Sequence, residues 1–279
     1  MIYVTGSEGN LGRVLVLGLG FTPVNANICD KKALKEALSK AAPTDVLINC
    51  AAVTDVDECE LDGLRARALH VNSAGVANLK DEFPGRIIHI STDFVFDGTK
   101  GPYDEKAEPN PINWYGQTKY CGEQRLLEYN SRGDIIVRTT VLFGGHRGDF
   151  ATTVLRQLRD GRHLEIPNSI FGNPTHVLFL AKGLMKLITV DHPPKIINIA
   201  GTDVISRYDF AVMIARMFGY DPNQISPIKN APGIAKRPKQ GGLKVGLAKK
   251  LNIPLFSTLD GLHQLFLQKG SIYGHYPTK

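Results

Sequence analysis

The stretch Thr5-Gly6-Ser7-Glu8-Gly9-Asn10-Leu11-Gly12 decides the fold of this 279-residue chain. An apolar run at residues 2–5 precedes the glycines and a helical pattern follows them, so they lie in a strand-to-helix turn. Gly6 permits the tight turn, Gly9 lets backbone N–H groups approach a pyrophosphate, and Gly12 lets the helix pack closely on the sheet. Glycines alone are weak evidence, but this context favours dinucleotide binding over a merely structural turn.

Short apolar runs alternate with helical patterns through the first half of the chain. We expect strands at residues 2–5, 46–49, 86–90 and 135–137, and helices at about 31–41, 61–80 and 114–130. This alternation predicts an α/β fold with a doubly wound parallel sheet of the Rossmann type. Right-handed crossovers then bring the loops that leave the strands to one edge of the sheet, where ligands bind.

The pattern loosens after about residue 144 into single helices and proline-containing loops, with one more apolar strand at 196–200. We expect residues 1–143, together with about 170–200, to form an NAD(P)-binding domain. Residues 144–169 and 201–279 would form a smaller C-terminal substrate-binding lobe. The length of the chain agrees with one large α/β domain that carries such a lobe.

Composition and charge argue against several classes of protein. A hydrophobic content of 43% and a charged content of 22% are ordinary for a globular protein. The sequence has neither a transmembrane-length apolar run nor signal-peptide features, so we expect a cytoplasmic protein without a membrane partner. The net charge of +6 is scattered and fits anionic ligands without nucleic acid. The four cysteines lack metal-ligand spacing, so neither a disulfide nor a metal site is expected.

Two polar motifs lie where such a fold binds ligands. Tyr115 and Lys119 are four residues apart, so on a helix they share one face, and the ammonium is expected to lower the phenol pKa from about 10. A tyrosine so tuned can protonate a carbonyl oxygen as hydride reaches the carbon. Ser91-Thr92-Asp93 follows the third of these strands, where a hydroxyl can donate to the same oxygen. Each motif alone is common, and the second is typical of a capping turn, but together they favour a catalytic site.

The residues after the glycine turn bear on the choice of cofactor. A fold that prefers NAD usually carries an acid for the adenosine ribose about twenty residues further on. Residues 21–29 contain no Asp or Glu, and Asp30 is typical of the N-cap of the next helix. Arg13 and the pair Lys31-Lys32 are candidates to face a 2′-phosphate, with solvated helix charges as the equal alternative. NADP(H) is therefore favoured over NAD(H).

Several segments carry a resemblance to a known family. They are the glycine turn and residues 49–57 (NCAAVTDVD), 91–98 (STDFVFDG), 109–119 (PNPINWYGQTK) and 138–140 (RTT). Together they resemble the dTDP-4-dehydrorhamnose reductases of the extended short-chain dehydrogenase family. The likeness covers most of the chain and continues more loosely through residues 149–150, 171–175, 206–207 and 237–238.

The resemblance implies a role for each group of site residues. It implies a catalytic triad of Thr92, Tyr115 and Lys119. The implied cofactor contacts are Gly6, Gly9, Asn10, Leu11, Gly12, Asn27, Ile28, Ala51, Ala52, Val53, Tyr115 and Lys119. Asn27-Ile28 matches a segment that usually reads Asp plus an apolar residue and faces the adenine. Expected substrate contacts are Thr92, Asp93, Val141 and Arg237, and candidates for meeting a diphosphate are Arg138, Arg237 and Lys239.

Two positions depart from related patterns. The family typically carries an aromatic substrate contact shortly after the Arg-Thr strand, whereas this chain has Val141. Phe94 follows Asp93 where nucleotide-sugar 4,6-dehydratases typically carry Glu, which argues against elimination chemistry.

For two other residues the sequence leaves two possible roles open. Asn72 supports the lysine through water or lies on a helix surface, and Trp114 covers the sugar or fills core. His70 and His89 are interpreted as packed or surface residues and not as bases.

The function that these expectations imply is NAD(P)H-dependent reduction of a nucleotide-linked 4-keto-6-deoxysugar. Within the resemblance, the expected enzyme is a dTDP-4-dehydrorhamnose reductase of dTDP-L-rhamnose biosynthesis, and a homodimer is a family-level expectation only. One alternative is an NADP-binding regulatory subunit of methionine adenosyltransferase, because such subunits resemble the same family. Another nucleotide-sugar reductase or epimerase is a further alternative. The intact triad favours an enzyme over a regulator.

Overall fold

Strands and helices alternate along the chain in a computed structural model that describes residues 1–128, 133–146 and 148–268. The strands are β1 (Ile2–Thr5), β2 (Thr22–Pro23), β3 (Val46–Asn49), β4 (Arg86–Thr92), β5 (Ile135–Thr139), β6 (Leu142–Phe143), β7 (Leu164–Pro167), β8 (Phe171–Gly172), β9 (Thr175–His176), β10 (Ile196–Asn198), β11 (Ile205–Ser206) and β12 (Ile225–Ile228). The helices are α1 (Asn10–Arg13), α2 (Lys31–Ala37), α3 (Asp62–Leu69), α4 (Gly75–Glu82), α5 (Trp114–Leu127), α6 (Phe150–Arg159), α7 (Val177–Ile188), α8 (Arg207–Phe218), α9 (Gly246–Lys250) and α10 (Thr258–Leu267).

The central sheet has six parallel strands in the order β10-β5-β4-β3-β1-β2. The order reverses between β1 and β3, which is the point where an open α/β sheet leaves a crevice for a ligand. Every residue of β3 and β5 is buried, as expected for parallel strands with helices on both faces. The doubly wound fold predicted from the alternation is confirmed.

Two apolar clusters hold the helices on the sheet. On one face, Leu15 packs with Leu180 and Leu184 of α7, all fully buried. On the other face, Leu34 of α2, Leu79 of α4 and Leu126 of α5 form the second cluster. Each of these side chains contributes roughly 1.5–3 kcal/mol by leaving water, so the clusters fix the strand ends that carry the site.

Several element boundaries differ from the prediction. The expected helix at 61–80 is divided into α3, a π-helical segment at His70–Ala74, and α4. The strand β2 was not predicted, because it has only two residues and its proline lacks the N–H that a ladder uses, which suits a sheet edge. The helix predicted at 31–41 ends at Ala37 and not at 41. The helix expected to end at 130 is described to Leu127, and residues 129 and 130 lie outside the described part of the chain.

A second group of elements packs beside the sheet around α8. Phe210 and Ile214 of α8 are fully buried against Val154 and Leu158 of α6 and Leu262 of α10. Residues 196–198 join the main sheet as β10, whereas 171–172 pair with β11. The proposed division into a domain and a lobe stays a prediction, and its last residues, 269–279, lie outside the described part. Within residues 1–128, 133–146 and 148–268, no helix is long and apolar enough to cross a membrane.

Candidate active site

The glycine turn joins β1 to α1 at the switch point of the sheet. Gly6 has φ +63°, and a Cβ there would lie 2.7 Å from the backbone nitrogen of Ala51. A Cβ on Gly12 would lie 2.1 Å from the carbonyl oxygen of Gly6. Gly9 is the N-cap of α1 and brings no side chain to the N–H groups of the first turn, where Asn10 and Leu11 lie. This backbone cradle fits a pyrophosphate, because only glycine leaves the room and the N–H groups that one needs.

The loop at residues 51–53, which leaves β3, is held from both sides. The N–H of Ala51 donates to Asn49 Oδ1 (3.1 Å), and the N–H of Val53 donates to Asn72 Oδ1 (2.8 Å). Asn72 Nδ2 donates in turn to the carbonyl of Val53 (3.0 Å) and to Thr118 Oγ1 (2.9 Å). Asn72 is fully buried, which excludes the alternative that it lies on a helix surface. It ties this loop, with Ala52 at its centre, to α5.

The segment expected to face the adenine follows β2. Asn27 is exposed, and its Oδ1 accepts from the N–H of Cys29 (3.0 Å). Ile28 is buried in the core, where it packs so closely on α4 that a Cβ on Gly75 would lie 2.6 Å from its Cδ1. Asp30 caps α2 as expected, since its side chain accepts from the N–H of Ala33 (3.0 Å). Because the Asp30 carboxylate caps this helix, it is not free to accept a hydrogen bond from the adenosine ribose.

Tyr115 lies on the first turn of α5 with its hydroxyl hydrogen-bonded to the side chain of Thr92 at the end of β4. The Phe94 ring contacts the phenol edge-to-face, with 5.8 Å between ring centroids. Burial, above all, raises the pKa of the Tyr115 phenol, although the bond to Thr92 opposes the rise. The expected lowering of this pKa by Lys119 was wrong for the structure described, because the surroundings favour the neutral phenol. A phenol that keeps its proton is a suitable acid.

Lys119 lies one turn beyond Tyr115 and is 2% exposed. Its ammonium nitrogen donates to the carbonyl of Ile90 (2.7 Å) and lies 3.3 Å from His89 Nε2. Burial lowers the pKa of Lys119 to about 8, and the charge of Glu123 partly opposes this. His89 is a packed residue, as expected, whereas His70 is exposed. All three residues of the expected triad thus lie near the carboxyl end of β4, Tyr115 against Thr92 and Lys119 against Ile90.

Beneath this triad a buried ion pair crosses from α5 to β5. Arg138 Nη2 and Nε donate to the two Glu123 carboxylate oxygens (2.7 and 3.0 Å), and Ser91 Oγ donates to Glu123 Oε1 (2.6 Å). Arg138 and Glu123 are 1% and 0% exposed. The expectation that Arg138 meets a diphosphate was therefore wrong, because its guanidinium is buried and paired with Glu123.

Asp93 and Val141 occupy the side of the cleft that faces α8. Asp93 is buried, with Oδ2 accepting from the N–H of Gly242 (3.3 Å), and burial raises its pKa. A hydrogen bond to the side chain of Thr140 opposes the rise. Val141 has φ +47°, a conformation that is a genuine outlier for a β-branched side chain. Strain of this kind costs about 1–3 kcal/mol and is typical of functional sites.

Arg237 spans the cleft toward the loop after β3. Its guanidinium pairs with the carboxylate of Asp57 (2.5 and 3.1 Å) and donates to the carbonyl of Ala235 (2.9 Å). The guanidinium holds the Asp57 pKa below its ordinary range. Lys239 is exposed, and so remains a candidate for an anion. In the described parts of the chain, no group of three or more His, Cys, Asp or Glu residues has a metal-binding arrangement.

Trp114 precedes Tyr115 and faces α3. Its indole Nε1 donates to the carbonyl of Arg65 (3.0 Å), and the Arg65 guanidinium lies 4.2 Å from the ring centroid. The backbone N–H of Trp114 donates to Glu60 Oε1 (2.7 Å). The half-buried ring therefore anchors the start of α5 to α3, which differs from both alternatives drawn from the sequence.

Comparison with known proteins agrees with this geometry. The family model for the RmlD substrate binding domain matches residues 1–265. The dTDP-4-dehydrorhamnose reductase of Mycolicibacterium smegmatis is 32% identical over 239 residues, which cover 81% of this chain and 72% of that protein. The chain belongs to the dTDP-4-dehydrorhamnose reductase family.

Similarity extends to a solved structure and to a regulatory subunit. A crystal structure of the family from Bacillus anthracis, in complex with NADP, matches with a TM-score of 0.89 at 27% identity and covers 96% of this chain and 98% of that one. The beta subunit of methionine adenosyltransferase 2 from Xenopus laevis is 29% identical over 275 residues, 90% of this chain and 82% of that protein. The family assignment and the fold class predicted from sequence are both confirmed.

Three polar residues beneath this family site were not predicted to take part in it. Asn49, His89 and Glu123 are fully buried and contact triad residues or their neighbours. For Asn49 and His89 the signal was present, because each is a polar side chain inside an apolar strand of a sheet predicted to be doubly wound, whereas Glu123 lies in a predicted helix. A buried polar side chain requires a hydrogen-bonding partner, and the residues that pair with it on the neighbouring strand are the candidates.

Proposed function

We propose that the protein is an NADPH-dependent reductase that acts on the C4 keto group of a deoxyhexose linked to a nucleoside diphosphate, with dTDP-4-dehydrorhamnose as the substrate. The observation that carries the proposal is the hydroxyl pair of Tyr115 and Thr92, which share a hydrogen bond at the carboxyl end of β4. Membership of a family of NADP-dependent oxidoreductases supports it.

Each of the site residues has its own role in the proposed reduction. Tyr115 keeps its proton until the carbonyl oxygen gains negative charge, and then donates it. Thr92 donates a second hydrogen bond to that oxygen and stabilises the developing charge. Lys119 orients the cofactor ribose beside Tyr115. Residues of the glycine cradle, from Gly6 to Gly12, hold the pyrophosphate, and bound NADPH supplies the hydride.

The assay that tests the activity follows NADPH absorbance with dTDP-4-dehydrorhamnose as substrate. We expect NADPH oxidation in proportion to the dTDP-L-rhamnose formed, measured by mass spectrometry. Nucleotide sugars without a keto group serve as controls and should give no oxidation. Failure to reduce any nucleotide-linked ketosugar, alongside normal NADPH binding, would exclude the reductase function.

Cofactor preference provides a separate prediction: NADPH should bind more tightly than NADH by at least several-fold. Residues 21–29 offer no carboxylate to the adenosine ribose, and Asp30 is used as a helix cap. Of the three candidates to face the 2′-phosphate, Lys31 pairs with Asp81 (2.6 Å), which leaves Arg13 and Lys32. Fluorescence titration of each cofactor measures the ratio.

A matched pair of variants controls that titration. Asn25 is exposed just after β2, and Asn25→Asp should shift preference toward NADH because a carboxylate repels a 2′-phosphate and accepts from a 2′-hydroxyl. Asn223→Asp, on an exposed turn just before β12, should leave the ratio unchanged. Preference for NADH in the unmodified protein would contradict the argument.

A regulatory role is the second candidate. It is supported by the similarity to the methionine adenosyltransferase beta subunit and by Val141, which stands where the resemblance leads us to expect an aromatic substrate contact. Under this alternative the protein would bind NADPH, alter the activity of a partner synthetase and reduce no ketosugar. The intact Thr92, Tyr115 and Lys119 favour the reductase.

A further inference from the structure

A line of four buried polar side chains runs beneath the site from β1 to α5. Thr5, Asn49 and His89 are fully buried, and Lys119 is 2% exposed. They lie on three neighbouring strands and one helix, and each contacts the next. Because bulk water is kept from all four, each donor must meet an acceptor within the line or in the backbone.

The backbone fixes the orientation of the Asn49 amide. Its Oδ1 accepts from the N–H of Ala51 (3.1 Å) and from the hydroxyl of Thr5 (2.6 Å). A backbone N–H can only donate, so the reverse orientation would set the amide NH₂ against it. Asn49 Nδ2 must therefore be the atom that faces His89 Nδ1, at 2.9 Å.

This orientation fixes the tautomer of His89. Asn49 Nδ2 is a donor, so His89 Nδ1 accepts and carries no proton. Burial and the charge of Lys119 lower the pKa of His89 well below its ordinary value, so the ring is neutral. The single ring proton is then on Nε2, and it points at Lys119 Nζ, 3.3 Å away.

The His89 Nε2–H group is a hydrogen-bond donor. The ammonium form of Lys119 has no lone pair to accept this bond, whereas the neutral amine has one. Lys119 Nζ can donate to the Ile90 carbonyl in either state (2.7 Å). The titratable groups that interact with Nζ are His89, Cys50 and Glu123, and Glu123 is bonded to Arg138. Burial raises the pKa of Cys50 to about 12, the Tyr115 pKa is raised, and Glu123 is paired with Arg138. Lys119 is thus the group that changes charge near pH 8.

We propose that His89 is a positioning residue which, fixed by Asn49 with its proton on Nε2, disfavours the ammonium form of Lys119. The proposal rests on the proposed function only in assigning Lys119 to the cofactor site. Its consequence is that the charge beside the nicotinamide ribose is set by a relay that starts on β1, at Thr5, and not by burial alone.

The tautomer is tested on wild-type protein by long-range ¹H–¹⁵N spectroscopy with ¹⁵N-labelled histidine. The His89 signals are identified by their loss in His89→Gln. We expect a protonated Nε2 and an unprotonated Nδ1 throughout the range in which the protein is folded. Asn49→Asp keeps the oxygen that Ala51 and Thr5 use but replaces the donor by an acceptor, so the proton should move to Nδ1. A proton on Nδ1 in the wild type overturns the proposal.

The effect on Lys119 is tested by NADPH affinity between about pH 7 and about pH 10, where a 2′-phosphate is fully ionised. The ammonium attracts the anionic cofactor, so wild-type affinity should fall as the pH rises through about 8. In Asn49→Asp the ring proton moves to Nδ1 and an acceptor faces Nζ, so the ammonium persists and the fall should move up by about one pH unit. The exposed His70→Gln should match the wild type.

The outcomes separate this proposal from the reductase assignment. An inflection that is the same in wild type and Asn49→Asp overturns the role of His89, whatever the turnover. The expected tautomer and shifted inflection in a protein that reduces no ketosugar support the role of His89 and reject only the reductase. Neither measurement needs catalysis, and the wild-type spectrum needs no variant to fold beyond the one used for assignment.

Discussion

Replacing Tyr115 by phenylalanine should lower kcat with dTDP-4-dehydrorhamnose by about 100- to 10,000-fold, the range for loss of a positioned general acid. The substitution removes one oxygen from a side chain whose ring packs on Phe94 and whose hydroxyl bonds to Thr92. Proton donation to the carbonyl oxygen needs that hydroxyl, whereas binding at the glycine cradle does not. NADPH affinity should therefore stay close to that of the wild type.

The matched control is Tyr120→Phe, because Tyr120 is half-buried on the same helix but lies five residues after Tyr115 and so on a different helix face. It should keep wild-type turnover. Steady-state kinetics separates the two effects, since an interaction made only in the transition state lowers kcat and kcat/KM equally. Tyr115→Phe with near-normal kcat would show that another group supplies the proton, and the buried Asp93 would be the first to examine.

Lys119→Ala should behave differently from Tyr115→Phe. It removes the amine that bonds to the Ile90 carbonyl and lies beside His89, so it should weaken NADPH binding and slow turnover together. Comparing NADPH affinity and turnover in the two variants therefore distinguishes acid catalysis by Tyr115 from cofactor positioning by Lys119. Equilibrium titration and turnover on the same preparations measure both.

The local parts of the site could be predicted from sequence because their signals are local. The glycine turn needs only a strand, three glycines and a helix within twelve residues, and φ +63° at Gly6 agrees with the role assigned to it. The i, i+4 spacing singled out Tyr115 and Lys119, and a strand end singled out Ser91-Thr92-Asp93, within which the family resemblance implied Thr92. Each of these features depends on neighbours in the chain, which the sequence displays directly.

The parts that could not be predicted depend on register between distant segments. Arg138 was expected to face a diphosphate, but parallel pairing sets it beside Ser91, and both side chains reach Glu123. No periodicity within β5 distinguishes a buried arginine from a cleft arginine. The direction of the Tyr115 pKa shift was missed for the same reason, because spacing gives proximity to Lys119 while burial depends on the whole fold.

Removing the Glu123 carboxylate should cause the largest loss of stability. Glu123→Ala leaves the Arg138 guanidinium charged and unpaired at 1% exposure, and breaking a buried pair in this way costs about 3–5 kcal/mol. Urea unfolding at constant pH measures the change in the free energy of unfolding. Glu128→Ala breaks an exposed pair with Arg125 near the end of the same helix, and should cost about 0.5 kcal/mol or less.

A double substitution shows whether the loss comes from the stranded charge or from packing. Glu123→Leu with Arg138→Met replaces both charges by apolar side chains, and exchanges of this kind are often neutral or stabilising. It should therefore recover most of the stability that Glu123→Ala loses. If the double variant is as unstable as Glu123→Ala, the ion pair itself, with the Ser91 hydroxyl bonded to it, holds α5 on the sheet. Recovery of stability without turnover would instead assign the pair to the site, since the Glu123 charge raises the Lys119 pKa against burial and its loss favours the neutral amine.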